Sequence, residues 1–291
     1  MSTVPNFSAR GLIEAGQRQL RAAGLDARHE TEWLLAGLLH TSRLELYLRD
    51  EPVPEGVAKQ FFDHLEARTA GTPLQYLLGR AEFFGRMFEV EPGVFIPRPE
   101  TEAVVEEALR ALRCVPGPLR LLDLGAGSGC IAVTLAVELP ACVVVGVELS
   151  WEALFVARQN ALRHGVAERV QFLQGRWTEP LRGEFDGLVA NPPYVPSAQV
   201  DRLPLDVRQE PRLSLDGGTD GMRDLRRLVR LVPQVVRPGG IAAFECGEEQ
   251  VTELTQLARA SSETATVRAL HDLAGRPRGM LMRLAPHGLD G

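Results

Sequence analysis

Asn191-Pro192-Pro193-Tyr194 puts a carboxamide, two prolines and an aromatic ring directly after a short apolar run, Phe185–Ala190. That run reads as a buried strand, so the tetrapeptide stands where a strand ends and a loop begins. The side-chain oxygen of Asn191 and the main-chain carbonyl of Pro192 can each accept one N–H of a planar NH2 group. Prolines fix the backbone and keep both acceptors aimed. The Tyr194 ring can pack beside a flat substrate. Such a turn suits methyl transfer to an amide or to the exocyclic amine of a base. The competing reading is an ordinary proline-rich turn with no chemistry.

A second constellation lies upstream. Asp123-Leu124-Gly125-Ala126-Gly127-Ser128-Gly129 follows one predicted strand and opens a predicted helix. Glycines there let the backbone turn tightly and approach a ligand. A dinucleotide site prefers G-x-G-x-x-G/A; here Cys130 fills the last of those positions, which tilts against NAD. Glu148 ends the next strand, where a carboxylate can accept both ribose hydroxyls of an adenosine-bearing cofactor. The alternative for Glu148 is a solvated strand end. Asp123 suits a cationic group such as a methionine ammonium and would repel a pyrophosphate. Ligands of open α/β sheets bind at the carboxyl ends of the strands, and both constellations stand there. S-adenosyl-L-methionine is the donor that accounts for both.

The elements that position these groups follow from periodicity. The first seventy residues read as a small helical bundle. Ser8 and Asp26 cap two helices, Pro54 opens a third with Phe61, Phe62 and Leu65 on one side, and Gly71 closes it. Short runs at 82–84 and 87–90 flank Gly85-Arg86 and read as a β-hairpin. Helix is expected at 104–112, 131–139, 151–164 and 225–236, with strand at 119–124, 142–147, 170–173, 185–190 and 241–244. This alternation implies a parallel sheet with helices on both faces. Segments 264–270 and 280–284 read as a closing hairpin that leaves one antiparallel strand. Residues 191–220 show no clear element, and a loop of that length points to a substrate-binding wall or lid.

Composition sets outer bounds. The chain has 291 residues, comfortable for two domains, and 45% hydrophobic and 24% charged residues, an ordinary globular balance. Its first ten residues contain no apolar core of signal-peptide length, and no apolar run is long enough to span a membrane, so a soluble cytoplasmic protein is expected. Cys114, Cys130, Cys142 and Cys246 form no C-x-x-C pair, the histidines are scattered, and no metal site is expected; burial accounts for the cysteines. A net charge of −6 argues against a broad nucleic-acid footprint. Arg223, Arg226, Arg227 and Arg230 share a predicted helix and read as its solvated face.

The chain resembles the class I S-adenosylmethionine-dependent methyltransferases, and within them the peptide-chain release factor glutamine methyltransferases (HemK/PrmC type). Segments 72–79, 81–85, 95–102, 216–221, 245–250 and 272–276 carry the resemblance over nearly the whole length, most selectively Pro97-Arg98-Pro99-Glu100-Thr101-Glu102. The resemblance implies an α/β fold: a Rossmann-like, mostly parallel sheet with a closing antiparallel hairpin, plus a small helical N-terminal domain. It implies a helical substrate-docking domain at 1–72, a β-hairpin connector at 73–98 and a methyltransferase domain at 99–291. It assigns Gly125, Ala126, Gly127, Ser128, Gly129, Glu148, Trp177 and Asn191 to the cofactor. Asn191, Pro192, Pro193 and Tyr194 would hold the glutamine of a Gly-Gly-Gln motif, with Phe95 and Pro97 over the site. The implied partners are class I release factors, with no direct nucleic acid, no membrane and a monomeric enzyme. Arg176 stands where the family often has Asp, Cys246 replaces an aliphatic residue, and Pro277-Arg278-Gly279 departs from the usual closing strand. Two rival readings are a methyltransferase for adenine or guanine amines in nucleic acid, which shares the chemistry, and a binding module that keeps the fold without catalysis.

Overall fold

Local signals start the chain's first helices where the sequence places them. Ser8 accepts a hydrogen bond from the Gly11 amide and caps α1 (Ala9–Ala22); Asp26 accepts one from the His29 amide and caps α2 (Ala27–Leu38). After α3 (Glu45–Leu48), Pro54 opens α4 (Glu55–Thr69), and α5 (Leu74–Leu78) ends at Gly79 in the left-handed conformation. Leu12, Leu20, Leu34, Leu35, Phe61 and Leu65 form the buried core of these helices. The computed structural model describes residues 7–48, 51–261 and 263–286.

Residues up to Arg80 cluster as one compact unit, joined by the distant segment Pro204–Gln209. Two contacts explain that segment's place. Buried Arg68 pairs with Glu30 at 2.6 Å and also reaches Asp206 at 3.2 Å. A Cβ on Gly71 would lie 2.3 Å from Leu205 Cγ, so only glycine lets Leu205 lie this close.

The second unit holds Ala81–Leu203 and Glu210 onward. It begins with the hairpin β1 (Arg80–Phe83) and β2 (Arg86–Glu89), then α6 (Pro99–Leu112), β3 (Arg120–Leu124), α7 (Cys130–Glu138), β4 (Val143–Glu148), α8 (Trp151–Arg163), β5 (Val170–Gln174) and β6 (Phe185–Ala190). Short helices α9 (Ser197–Val200) and α10 (Arg212–Leu215) precede α11 (Arg223–Val235), β7 (Val236–Glu245), α12 (Val251–Arg259), β8 (Thr264–His271) and β9 (Pro277–Leu284). The seven-stranded sheet runs β5-β4-β3-β6-β7-β9-β8. Its pairings are parallel until β9, which runs antiparallel to both neighbours. Side chains alternate across the pleat: Leu121 packs on the side of α6, α7 and α8, while Leu122 and Leu124 pack on the side of α11 and α12. The sheet is covered on both faces, which is why its strands read as nearly unbroken apolar runs.

Several details differ from expectation. The β1–β2 hairpin is tied to α8, where Asn160 accepts from the Glu89 amide (2.8 Å) and donates to the Glu89 carbonyl (3.0 Å). Helices α5 and α12 were not expected, and the featureless stretch 191–220 contains α9 and α10. Cys130, Cys142 and Cys246 are buried, whereas Cys114 is exposed. The arginines of α11 do lie on its solvated face, as expected: Arg223, Arg227 and Arg230 are exposed, Arg226 pairs with Asp220 and Glu253, and Arg227 pairs with Glu179. Among the described residues no helix is long and apolar enough to cross a membrane.

Candidate active site

A single hollow at the carboxyl ends of β3, β4 and β6 gathers most of the residues picked out from the sequence. Gly125, Ala126, Gly127, Ser128, Glu148, Trp177, Asn191, Pro193, Phe95 and Pro97 line it. Gly129, Pro192 and Tyr194 adjoin lining residues in the chain without lining it themselves, and Asp123 is wholly buried without lining it.

The glycine loop is shaped by β4. The amides of Gly125 and Ala126 both donate to the Val147 carbonyl, at 2.9 and 3.1 Å. Gly127 has φ +53 and nothing within 4 Å of its would-be Cβ, so its backbone faces open space. The Gly127 amide donates to Glu148 Oε2 at 2.9 Å. The other oxygen of Glu148 accepts from the amides of Leu149 and Ser150. Three N–H groups thus fix the carboxylate at the rim, and an oxygen pair of this kind retains lone pairs for a ribose.

Asp123 follows the pleat instead. It shares a face with Leu121, so its carboxylate points at α7 and accepts from the Ala132 amide at 3.0 Å, with its other oxygen unpartnered. Burial pushes its pKa up to about 7, a rise opposed by the Ala132 N–H and aided by Glu148. A direct contact between Asp123 and a ligand's ammonium is therefore not what this geometry offers.

Trp177 occupies the left-handed region at φ 53, an uncommon conformation for a bulky residue and one that tends to occur at functional sites. Its indole N–H is buried without a partner while the residue lines the hollow. A buried donor in that state calls for an acceptor on a ligand. Glycine cradle, rim carboxylate and orphan indole donor together fit an adenosine-bearing cofactor. Arg176 lines the same hollow with an exposed side chain.

Beside the glycine loop, at the end of the neighbouring strand, stands the Asn-Pro-Pro-Tyr turn; the Asn191 carbonyl oxygen lies 3.9 Å from where a Cβ on Gly125 would stand. Asn191 donates from Nδ2 to Thr101 Oγ1 at 3.0 Å, Thr101 donates to Glu245, and the Tyr194 hydroxyl donates to the second oxygen of Glu245 at 3.0 Å. Glu245 is fully buried, and burial raises its pKa to about 7. The Tyr194 hydroxyl is pushed upward by burial and by Glu245, so it is not a base. Gln250 donates to the Tyr194 carbonyl at 2.9 Å, and the 216–221 segment lies against the turn: the Gly217 amide donates to the Val195 carbonyl.

Phe95 and Pro97 are held by a buried acid in the neighbouring wall. Glu210 accepts from the Ile96 amide at 3.0 Å and pairs with Arg98, whose guanidinium lies 5.0 Å from the Phe95 ring centroid. The residues after Glu210, namely Pro211, Leu213 and Ser214, continue that wall.

Two family models match the chain: the PrmC N-terminal domain over residues 12–79 and the methyltransferase small domain over 103–204. The release factor glutamine methyltransferase of Moorella thermoacetica is 43% identical over 278 residues, covering 94% of this chain and 98% of that one. Its counterpart in Geobacter sulfurreducens is 48% identical over 247 residues, covering 83% and 84%. The chain belongs to the release factor glutamine methyltransferase family. A methyltransferase from Pyrococcus furiosus shares the fold, with a TM-score of 0.51 at 18% identity over 70% of this chain and 91% of that one.

Sequence reasoning gave no role to Thr101, Glu245 or Glu210. The first two lie inside segments that carry the resemblance to release factor glutamine methyltransferases, so a buried hydroxyl and acid there were a usable signal. Glu210 lies in the stretch read as featureless and had none.

Proposed function

We propose that the chain transfers a methyl group from S-adenosyl-L-methionine to the side-chain amide nitrogen of the glutamine in the Gly-Gly-Gln motif of class I peptide-chain release factors. When bound, the cofactor supplies a methyl group on a positively charged sulfur. Gly125–Gly129, Glu148 and Trp177 would hold it, and its adenosine would meet Glu148 and the indole N–H.

The observation that carries the reading is the state of Asn191. Its NH2 is committed to Thr101, which leaves the amide oxygen as an acceptor at the edge of the hollow. A carboxamide nitrogen is a poor nucleophile because its lone pair is delocalised into the carbonyl. The Asn191 oxygen and the Pro192 carbonyl would each accept one N–H of the glutamine amide. Both bonds strengthen as charge develops on nitrogen, so they favour the transition state over the ground state. Rigid prolines keep the two acceptors in place, which supplies the orientational part of the acceleration. Tyr194, the last residue of the turn, ties it to Glu245 through its hydroxyl without acting as a base.

The helices of residues 1–72 would dock the release factor, with 73–98 leading into the transfer domain at 99–291. The enzyme would act in the cytoplasm as a monomer, without direct contact to nucleic acid. Labelled S-adenosylmethionine, an intact release factor and bulk RNA give the test. Label is expected on the glutamine of the Gly-Gly-Gln tryptic peptide by mass analysis and not on RNA; label on RNA alone would overturn the reading. An intact release factor should also show a higher kcat/KM than the isolated peptide, and equal values would remove the docking role.

A further inference from the structure

We propose that Thr101 and Glu245 are positioning residues that decide which end of the Asn191 amide faces the substrate. An asparagine amide presents either an acceptor or two donors, and a flip of its terminal plane exchanges them. Only the acceptor orientation can grip a substrate NH2 group.

Sheet register brings the three groups together. Ala190 of β6 pairs with Phe244 of β7, so the next residues, Asn191 just past the end of β6 and Glu245 at the last position of β7, stand side by side. Thr101 comes from the first turn of α6. Thr101 is 2% exposed and Glu245 1%, so each polar atom must find its partner within the protein.

The direction of the hydrogen bonds then follows by elimination. An ionised carboxylate only accepts. Glu245 therefore takes the hydroxyl protons of both Tyr194 and Thr101. The Thr101 oxygen is left with lone pairs, and the group facing it must donate. Asn191 satisfies it with Nδ2 at 3.0 Å. The reversed amide would set two acceptors against each other.

Protonation of Glu245 removes this constraint. The acid could then donate to Thr101, which would be free to donate to the Asn191 oxygen, and the flipped amide would turn its N–H groups toward the substrate's own. Glu245 has a pKa of about 7, raised by burial and by Glu100, and opposed by Thr101, Tyr194 and Arg278; its charge in turn disfavours ionisation of the Cys130 and Cys246 thiols. Turnover should therefore fall on the acid side of neutrality through kcat.

The inference rests on the role of Asn191 proposed above, so the test includes Asn191→Ala. The full-length enzyme, S-adenosylmethionine and an intact class I release factor are used, and kcat, KM and cofactor Kd are measured across pH. Thr101→Val should lower kcat roughly 10²-fold with little change in cofactor Kd, and should lose the acid limb. Thr101→Ser should restore both rate and limb. Near-normal kcat in Thr101→Val beside an inactive Asn191→Ala overturns the inference and leaves the Asn191 role standing. Equal losses in Thr101→Val and Thr101→Ser also overturn it. An active Asn191→Ala defeats the underlying assignment itself. Should Thr101→Val fail to fold, Glu245→Gln decides: low turnover without an acid limb supports the inference, and normal turnover sinks it.

Discussion

Gly221 lies so close to Tyr194 that a Cβ at 221 would stand 2.2 Å from the Tyr194 carbonyl oxygen. Gly217 is similarly confined: a Cβ there would stand 2.7 Å from the Pro193 carbonyl oxygen. The second layer of the site is therefore backbone laid on backbone, and the Asn-Pro-Pro-Tyr turn is braced from outside as well as by its prolines. Gly221 also has φ +76, which an alanine adopts only under strain. Gly221→Ala should cost at least about 2 kcal/mol and displace the turn, lowering turnover. Urea unfolding and steady-state rates check this; wild-type values in both would contradict the close approach.

Asn191→Ala should reduce kcat roughly 10²-fold or more, by analogy with loss of one preorganised polar group, while cofactor binding stays mostly intact. Asn191→Asp keeps an acceptor but adds negative charge near the cofactor's cationic sulfur. Tighter cofactor binding with poor turnover is the expected pair of results. Calorimetric titration and single-turnover rates separate the two effects.

Trp177→Phe keeps most of the ring but removes the buried donor. A lost hydrogen bond of this kind weakens binding by about 1 kcal/mol, somewhat under tenfold in Kd. The expected signature is a higher cofactor Kd with unchanged kcat at saturation. An unaltered Kd would show that the indole N–H meets no ligand atom.

Asp123 makes stability depend on pH. Its pKa rises from 3.8 to about 7 on folding. Between those values the folded chain keeps a proton that the unfolded chain has released. The associated stability is fully present below about pH 4 and is lost as pH rises through about 7, at about 1.4 kcal/mol per unit of difference. Glu245 acts in the same direction, from 4.5 to about 7. Asp123→Asn should flatten the decline in urea-unfolding free energy between pH 5 and pH 8 without abolishing it. An identical slope in both proteins would remove Asp123 from the account.

What the sequence revealed was local. The caps at Ser8 and Asp26, the strand at Phe185–Ala190 and the glycine loop each depend on residues a few positions apart, and each stands where expected. What it hid was set by distant register and by the pleat. Nothing near Asn191 announces that Glu245 lies beside it, because that follows from the pairing of β6 with β7. The burial of Asp123 against α7 likewise depends on which face of β3 it occupies, which no local motif states. Helices α9 and α10 have four residues each, too few for a periodic pattern to emerge. In α12 a threonine, Thr255, sits on the buried side among Val251, Leu254 and Ala258, which blurs its apolar stripe.

The stretch Pro204–Gln209 makes the amino-terminal unit discontinuous in sequence. A cut near residue 80 would deprive Asp206 of Arg68 and Leu205 of its seat on Gly71, and the frayed stretch would continue directly into Glu210 and the wall beside Phe95. Exchanging this chain's amino-terminal helices for a foreign set would require this short internal passage to travel with them.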